Sequence, residues 1–121
     1  MPDFTILHNP RCGTSRNVLQ FLRDAGIEPE IIEYLQTPPD RQSLRDIAVA
    51  SGQPLRALVR AKEPIHAQLG LDDPAVDDEQ LLDAMLAHPV LINRPIVLAG
   101  GRARLCRPSE TVLEFIQTVR G

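Results

Sequence analysis

Phe4-Thr5-Ile6-Leu7-His8-Asn9-Pro10-Arg11-Cys12-Gly13-Thr14-Ser15-Arg16-Asn17 is the stretch whose reading decides the fold. Phe4, Ile6 and Leu7 make a short apolar run suited to a buried strand, and Asn9-Pro10 ends it. A helical pattern follows from about Thr14, with apolar Val18, Leu22 and Ala25 spaced by four and three. Cys12 is therefore expected where a strand hands over to a helix N-terminus. The first backbone N–H groups of a helix lack intrahelical partners, and the macrodipole is positive there. Such a place favours a thiolate over a thiol and offers donors to an oxyanion. An unperturbed thiol is only slightly ionised at neutral pH, and a drop of ~2 pKa units makes it mostly thiolate. Free cysteine is also a common buried residue, but a loop position between Pro10 and Gly13 argues for a reactive role.

Outward from this stretch, Gly26 suits the position just past the helix, and Glu30-Ile31-Ile32-Glu33-Tyr34 reads as a second strand. Strand, helix and strand form a βαβ unit with parallel strands and a right-handed crossover. Thr37-Pro38-Pro39 interrupts the pattern, and Asp40 is placed to cap a helix through Ser51 with Leu44, Ile47 and Ala48 inward. A short helical piece is expected over Leu55 to Ala61, with Arg56 and Arg60 on one face. One helical turn is expected around His66 to Leu69. Asp77 and Gln80 have capping-box spacing ahead of a helix burying Leu81, Leu82, Met85 and Leu86. The block from about 40 to 88 is thus a helical insertion.

Pro95-Ile96-Val97-Leu98 and Arg102 to Cys106 read as third and fourth strands, joined through Gly100-Gly101 as an antiparallel hairpin. Pro108 suits the first turn of a last helix carrying Val112, Phe115, Ile116 and Val119. The order β-α-β, insertion, β-β-α predicts an α/β protein with a mixed four-stranded sheet, residues 1–121 forming a single domain.

Composition narrows the function classes. Apolar content of 43% with 24% charged residues fits a globular protein, and no apolar run is long enough to span a bilayer. No basic-then-apolar leader is visible, and two cysteines imply no disulfide framework, so a reducing cytoplasm is expected. A net charge of −3 argues against nucleic acid as the main partner. His8, His66 and His88 are widely spaced and lack metal-ligand spacing with the cysteines. His66 and His88 read as structural or exposed, and Arg16, Arg102 and Arg104 as surface charges.

The element order resembles the thioredoxin fold interrupted by a helical insertion, and in that fold a cis-proline stands beside the active thiol, where this chain has Pro95. Four motifs sharpen the resemblance: His8 to Asn17, Arg56-Ala57-Leu58-Val59-Arg60, Leu91-Ile92-Asn93-Arg94-Pro95-Ile96-Val97 and Leu105-Cys106-Arg107-Pro108-Ser109-Glu110. Together, from residue 4 to about 116, they resemble the glutaredoxin-dependent arsenate reductase (ArsC-like) family. The resemblance implies that Cys12 is the nucleophile, that Arg60, Arg94 and Arg107 hold arsenate, and that His8 and Ser15 favour the thiolate. It further implies no bound cofactor, with glutathione and glutaredoxin as external reductants. The chain departs from some members at Arg11, where they carry a small residue, and it ends sooner than longer members.

Residue chemistry fits that reading. A thiolate attacking a tetrahedral oxyanion meets like-charge repulsion, and guanidinium groups stay charged at every working pH. Taken without the resemblance, Arg60 reads as a solvated charge, Arg94 and Arg107 equally as boundary salt bridges, and His8 equally as a structural histidine. Three other readings compete. A regulator resembling the Spx family normally carries Cys-x-x-Cys, but Ser15 stands three after Cys12. A monothiol glutaredoxin does not fit the insertion or the arginines. A phosphatase-like reductase needs Cys-x5-Arg, and Val18 occupies that position. The same fold and thiol chemistry with a different substrate is the fourth alternative.

Overall fold

β1 (Thr5–His8), α1 (Gly13–Asp24) and β2 (Glu30–Glu33) form the expected βαβ unit, and β1 pairs with β2 in parallel from Thr5 opposite Glu30 to His8 opposite Glu33. Ala25 is the C-cap of α1, and Gly26 follows at φ +80°, a left-handed conformation that a side chain would strain. This computed structural model describes residues 3–121, so Met1 and Pro2 of the expected domain lie outside the described residues. The chain divides into two compact units, one running to Thr37 and resuming over Arg94–Gly121, the other Pro38–Asn93.

Within the second unit α2 (Arg41–Ser51) begins at Asp40, whose carboxylate accepts from the Ser43 N–H at 2.8 Å. A 3-10 turn (Leu55–Leu58) and α3 (Pro64–Gln68) precede α4 (Asp78–Ala87). Asp77 and Gln80 form the capping box reciprocally at 2.9 Å each way. Leu81, Leu82 and Met85 are buried as expected, while Leu86 is half-buried and Ala84 takes a core position. The expected helix to Ala61 is not formed. The turn stops at Leu58, and Val59 enters an antiparallel bridge with Ile92. Arg56 and Arg60 therefore share no helical face. Arg56 instead donates to the carbonyls of Leu71 and Val76, at 2.6 and 2.9 Å. His66 is buried with Nδ1 3.4 Å from Asp72.

The first unit resumes with β3 (Ile96–Ala99), β4 (Arg102–Leu105) and α5 (Thr111–Arg120). β3 pairs antiparallel with both β1 and β4, giving the order β2-β1-β3-β4. Gly100 and Gly101, at φ +59° and +74°, supply the two positive φ values that a tight hairpin between Ala99 and Arg102 requires. The result is the expected thioredoxin-like mixed sheet. α5 starts later than expected: Pro108 lies in the bend before it, and Glu110 is the N-cap. Alternation decides which side chains meet the helices. Phe4, Ile6, Val97, Ala99 and Cys106 pack with Val18 and Leu22 of α1 and Val112, Phe115 and Ile116 of α5. Phe4 meets Phe115 edge-on, with ring centroids 6.4 Å apart. This buried layer fixes both ends of the loop that carries Cys12. Among the described residues, no helix is long and apolar enough to cross a membrane.

Candidate active site

The loop from His8 to Cys12 has few backbone partners in the sheet, and its polar groups are met by its own motif. Cys12 N–H donates to the Asn9 carbonyl at 3.0 Å, and Arg11 N–H donates to Asn9 Oδ1, also at 3.0 Å. Asn9 N–H donates to Ser15 Oγ at 3.1 Å, and Ser15 Oγ lies 2.6 Å from His8 Nδ1. Ser15 is fully buried and His8 nearly so. Burial lowers the His8 pKa, and Arg16 and Arg23 lower it further against the opposing effect of Glu33. The imidazole is therefore neutral at neutral pH. With Ser15 Oγ already accepting from Asn9, its hydroxyl proton is assigned to His8 Nδ1, which leaves the ring proton on Nε2. His8 and Ser15 thus brace the loop from inside.

Cys12 is the N-cap of α1 and is half-buried. Burial by itself raises its thiol pKa, but the Ser15 backbone N–H, the side chains of Arg94 and Arg107, and the charge of Arg94 together outweigh it. The net effect is a thiol held below its ordinary value. Arg107 Nη1 stands 3.8 Å from Cys12 Sγ and donates to the Arg94 carbonyl at 3.0 Å, so one guanidinium contacts the sulfur while gripping the segment that presents the other. Both arginines precede a proline, and the Arg94–Pro95 and Arg107–Pro108 peptides are both cis. Two fork-shaped cations and a helix start around one sulfur are a donor set whose chemistry suits an anion.

The first unit therefore brings together His8, Cys12, Ser15, Arg94 and Arg107. Arg60 belongs to the second unit, where its N–H donates to the Leu91 carbonyl at 2.7 Å and its Nε lies 3.2 Å from Glu63 Oε1. Two residues of the motif, Asn9 in the loop and Arg16 in α1, are absent from the sequence-derived set. Asn9 uses both its backbone and its side chain to turn the chain, which its place before a proline hinted at. Arg16 is exposed, as expected of a surface charge, and it also donates from Nη1 to the Pro10 carbonyl at 2.9 Å. Arg104, also expected at the surface, lies 5.9 Å over the Phe115 ring.

The ArsC family model matches residues 7–115 of this chain. The chain belongs to the ArsC family. It is 55% identical over 112 residues to an arsenate reductase of Rhizobium meliloti, covering 93% of this chain and 80% of that one. It is 50% identical over 117 residues to one from Escherichia coli, covering 97% and 83%. Among solved structures, an arsenate reductase from Vibrio cholerae superposes with a TM-score of 0.90 at 42% identity, covering 93% of this chain and 97% of that one. The family-model match spans all four motifs.

The depressed Cys12 pKa has a direct readout. Alkylation rate rises with pH as thiolate forms, so its midpoint should fall clearly below ~8.5, the value of a free thiol. Cys12→Ser supplies the background. A midpoint at or above the free-thiol value would show that burial outweighs the two arginines and the helix start.

Proposed function

We propose that this chain is an arsenate reductase in which the Cys12 thiolate attacks As(V). A sulfur–arsenic bond forms, one arsenic–oxygen bond breaks, and the oxygen leaves as water after protonation. Glutathione then attacks the arsenic, a second oxygen leaves as water, and the arsenic carries both sulfurs. Glutaredoxin attacks the glutathione sulfur, forming a glutaredoxin–glutathione disulfide, and the electron pair of the broken sulfur–arsenic bond stays on arsenic, so these two thiols supply the two electrons that convert As(V) to As(III). Water then displaces the Cys12 sulfur from As(III), releasing arsenite and regenerating the thiol. The observation that carries this reading is the sulfur of Cys12 facing Arg94 and Arg107 in a chain of the ArsC family. The arginines offset the charge of the incoming anion and of the thiolate at once, without protons of their own to lose. By resemblance to the family, Arg60 is a further oxyanion ligand. His8 and Ser15 hold the loop so that the Ser15 N–H stays on the sulfur. Glutathione and glutaredoxin place the reaction in the cytoplasm.

A coupled assay with arsenate, glutathione, glutaredoxin, glutathione reductase and NADPH tests it. NADPH loss should require arsenate, glutaredoxin and this protein together. Phosphate should support none, because phosphorus does not accept two electrons from thiols. Loss of NADPH independent of arsenate, or none at all, would reject the reading.

Cys106 takes no part in this scheme. It lies fully buried among Phe4, Val18 and Phe115, and burial pushes its thiol up to about 12. It stays protonated at neutral pH, which removes it as a nucleophile. Cys106→Ser is expected to keep most turnover and the full requirement for an external thiol. A Cys12–Cys106 disulfide on peptide mapping of oxidised protein, with turnover lost in the variant, would overturn this.

A further inference from the structure

Arg16, like Arg11, is a charged member of the Cys12 motif to which the reaction scheme gives no part. Its guanidinium folds back along the first turn of α1, and Nη1 donates to the Pro10 carbonyl at 2.9 Å. On the way it passes Gly13: a methyl group placed there would lie 3.7 Å from Arg16 Nη2. Pro10 has no N–H to give the loop a backbone tie, so its carbonyl is the only polar main-chain group with which it can anchor itself. The other ties of the loop, Asn9 N–H to Ser15 Oγ, Arg11 N–H to Asn9 Oδ1 and Cys12 N–H to the Asn9 carbonyl, do not involve Pro10. Arg16 holds it from the solvent side, six residues along the chain.

We propose that Arg16 is a positioning residue, a clasp across the Pro10–Gly13 turn that keeps the Cys12 sulfur seated over the start of α1 and against Arg94 and Arg107. This rests on Cys12 being the reacting thiol and not on which oxidised substrate it attacks. Without the clasp the turn keeps its other ties but gains freedom on its open side. Alignment of the sulfur with donors fixed on three separate segments is then the first thing lost, and displacements near 1 Å cost reactivity steeply. The charged and titratable groups around that sulfur are Arg94 ahead of β3 and Arg107 after β4. On the loop's own elements, His8 ends β1 behind Ser15, and Arg11 precedes Cys12 in the chain.

The test follows Cys12 alkylation by iodoacetamide, a neutral probe, against pH in the full-length protein without arsenate. In Arg16→Ala the midpoint should rise by about half a pH unit or more, with the melting temperature nearly unchanged. The plateau rate, where all Cys12 is thiolate, should change little. Arg16→Lys, which keeps a donor at nearly the same reach, should restore most of the shift. The whole series is repeated in 0.5 M salt, where exposed charges more than a few ångströms apart are screened. A clasp acts through geometry, so the shift must persist there. A wild-type midpoint in Arg16→Ala, or a shift that vanishes at high salt, would overturn the proposal. Because no arsenate is present, a negative result here is separate from a negative result in the coupled assay.

Discussion

Cys12→Ser should abolish arsenate-dependent turnover, by about a thousandfold or more, while the protein stays folded. The two halves of that expectation have different physical sources. A serine hydroxyl at this position has a pKa far above neutrality, so the nucleophile is lost. Without the thiolate, no Cys12 S-arsenate adduct forms for glutathione to attack. The fold, by contrast, gains a better helix cap. Cys12 is the N-cap of α1, half-buried, and serine is among the preferred residues there. Melting should therefore match or exceed the wild type. Turnover by a folded Cys12→Ser protein would remove the central chemical claim.

Arg94→Ala and Arg107→Ala should each reduce kcat/KM far more than Arg102→Ala. One charge-assisted contact is worth ~1.5–3 kcal/mol, or roughly tenfold to over a hundredfold. Arg107→Ala loses a contact to the sulfur and also releases the Arg94 carbonyl it holds, so the two losses are coupled. The double variant should fall short of the product of the single effects. Arg102, exposed at the end of the hairpin, marks what removal of a peripheral charge does. The Lys variants should recover only part of the activity, since an ammonium supplies charge without the planar fork. Small and equal losses at all three positions would reduce Arg94 and Arg107 to surface charges.

Much of the frame was legible because its signals are local. The strand before Asn9-Pro10, the Asp40 cap, the Asp77–Gln80 box and the Gly100-Gly101 turn each depend on residues within a few positions of one another. Local rules failed where long-range pairing competed. Residues 55–61 have helical spacing, yet Val59 bridges to Ile92, and extended backbone there cancelled the face shared by Arg56 and Arg60. Pro108 fits a first helical turn by composition, but the chain is still bending out of β4, so α5 starts only at Thr111.

For the site, the sequence by itself determined a cysteine at a helix start and, through four motifs, the family to which it belongs. Only the tertiary structure decided what surrounds the sulfur. Arg107 lies 95 positions from Cys12, and no periodicity connects them. They meet because β1 and β4 both flank β3 and run antiparallel to it, which puts their C-terminal ends at the same end of the sheet. The same alternation that sends Cys106 into the core frees its neighbour Arg107 to reach outward. Arg16 shows the other limit. Its spacing on α1 marks it as exposed, and exposure alone reads as a solvated charge. The partner that changes this reading is a backbone carbonyl, which every residue carries and no sequence pattern can single out.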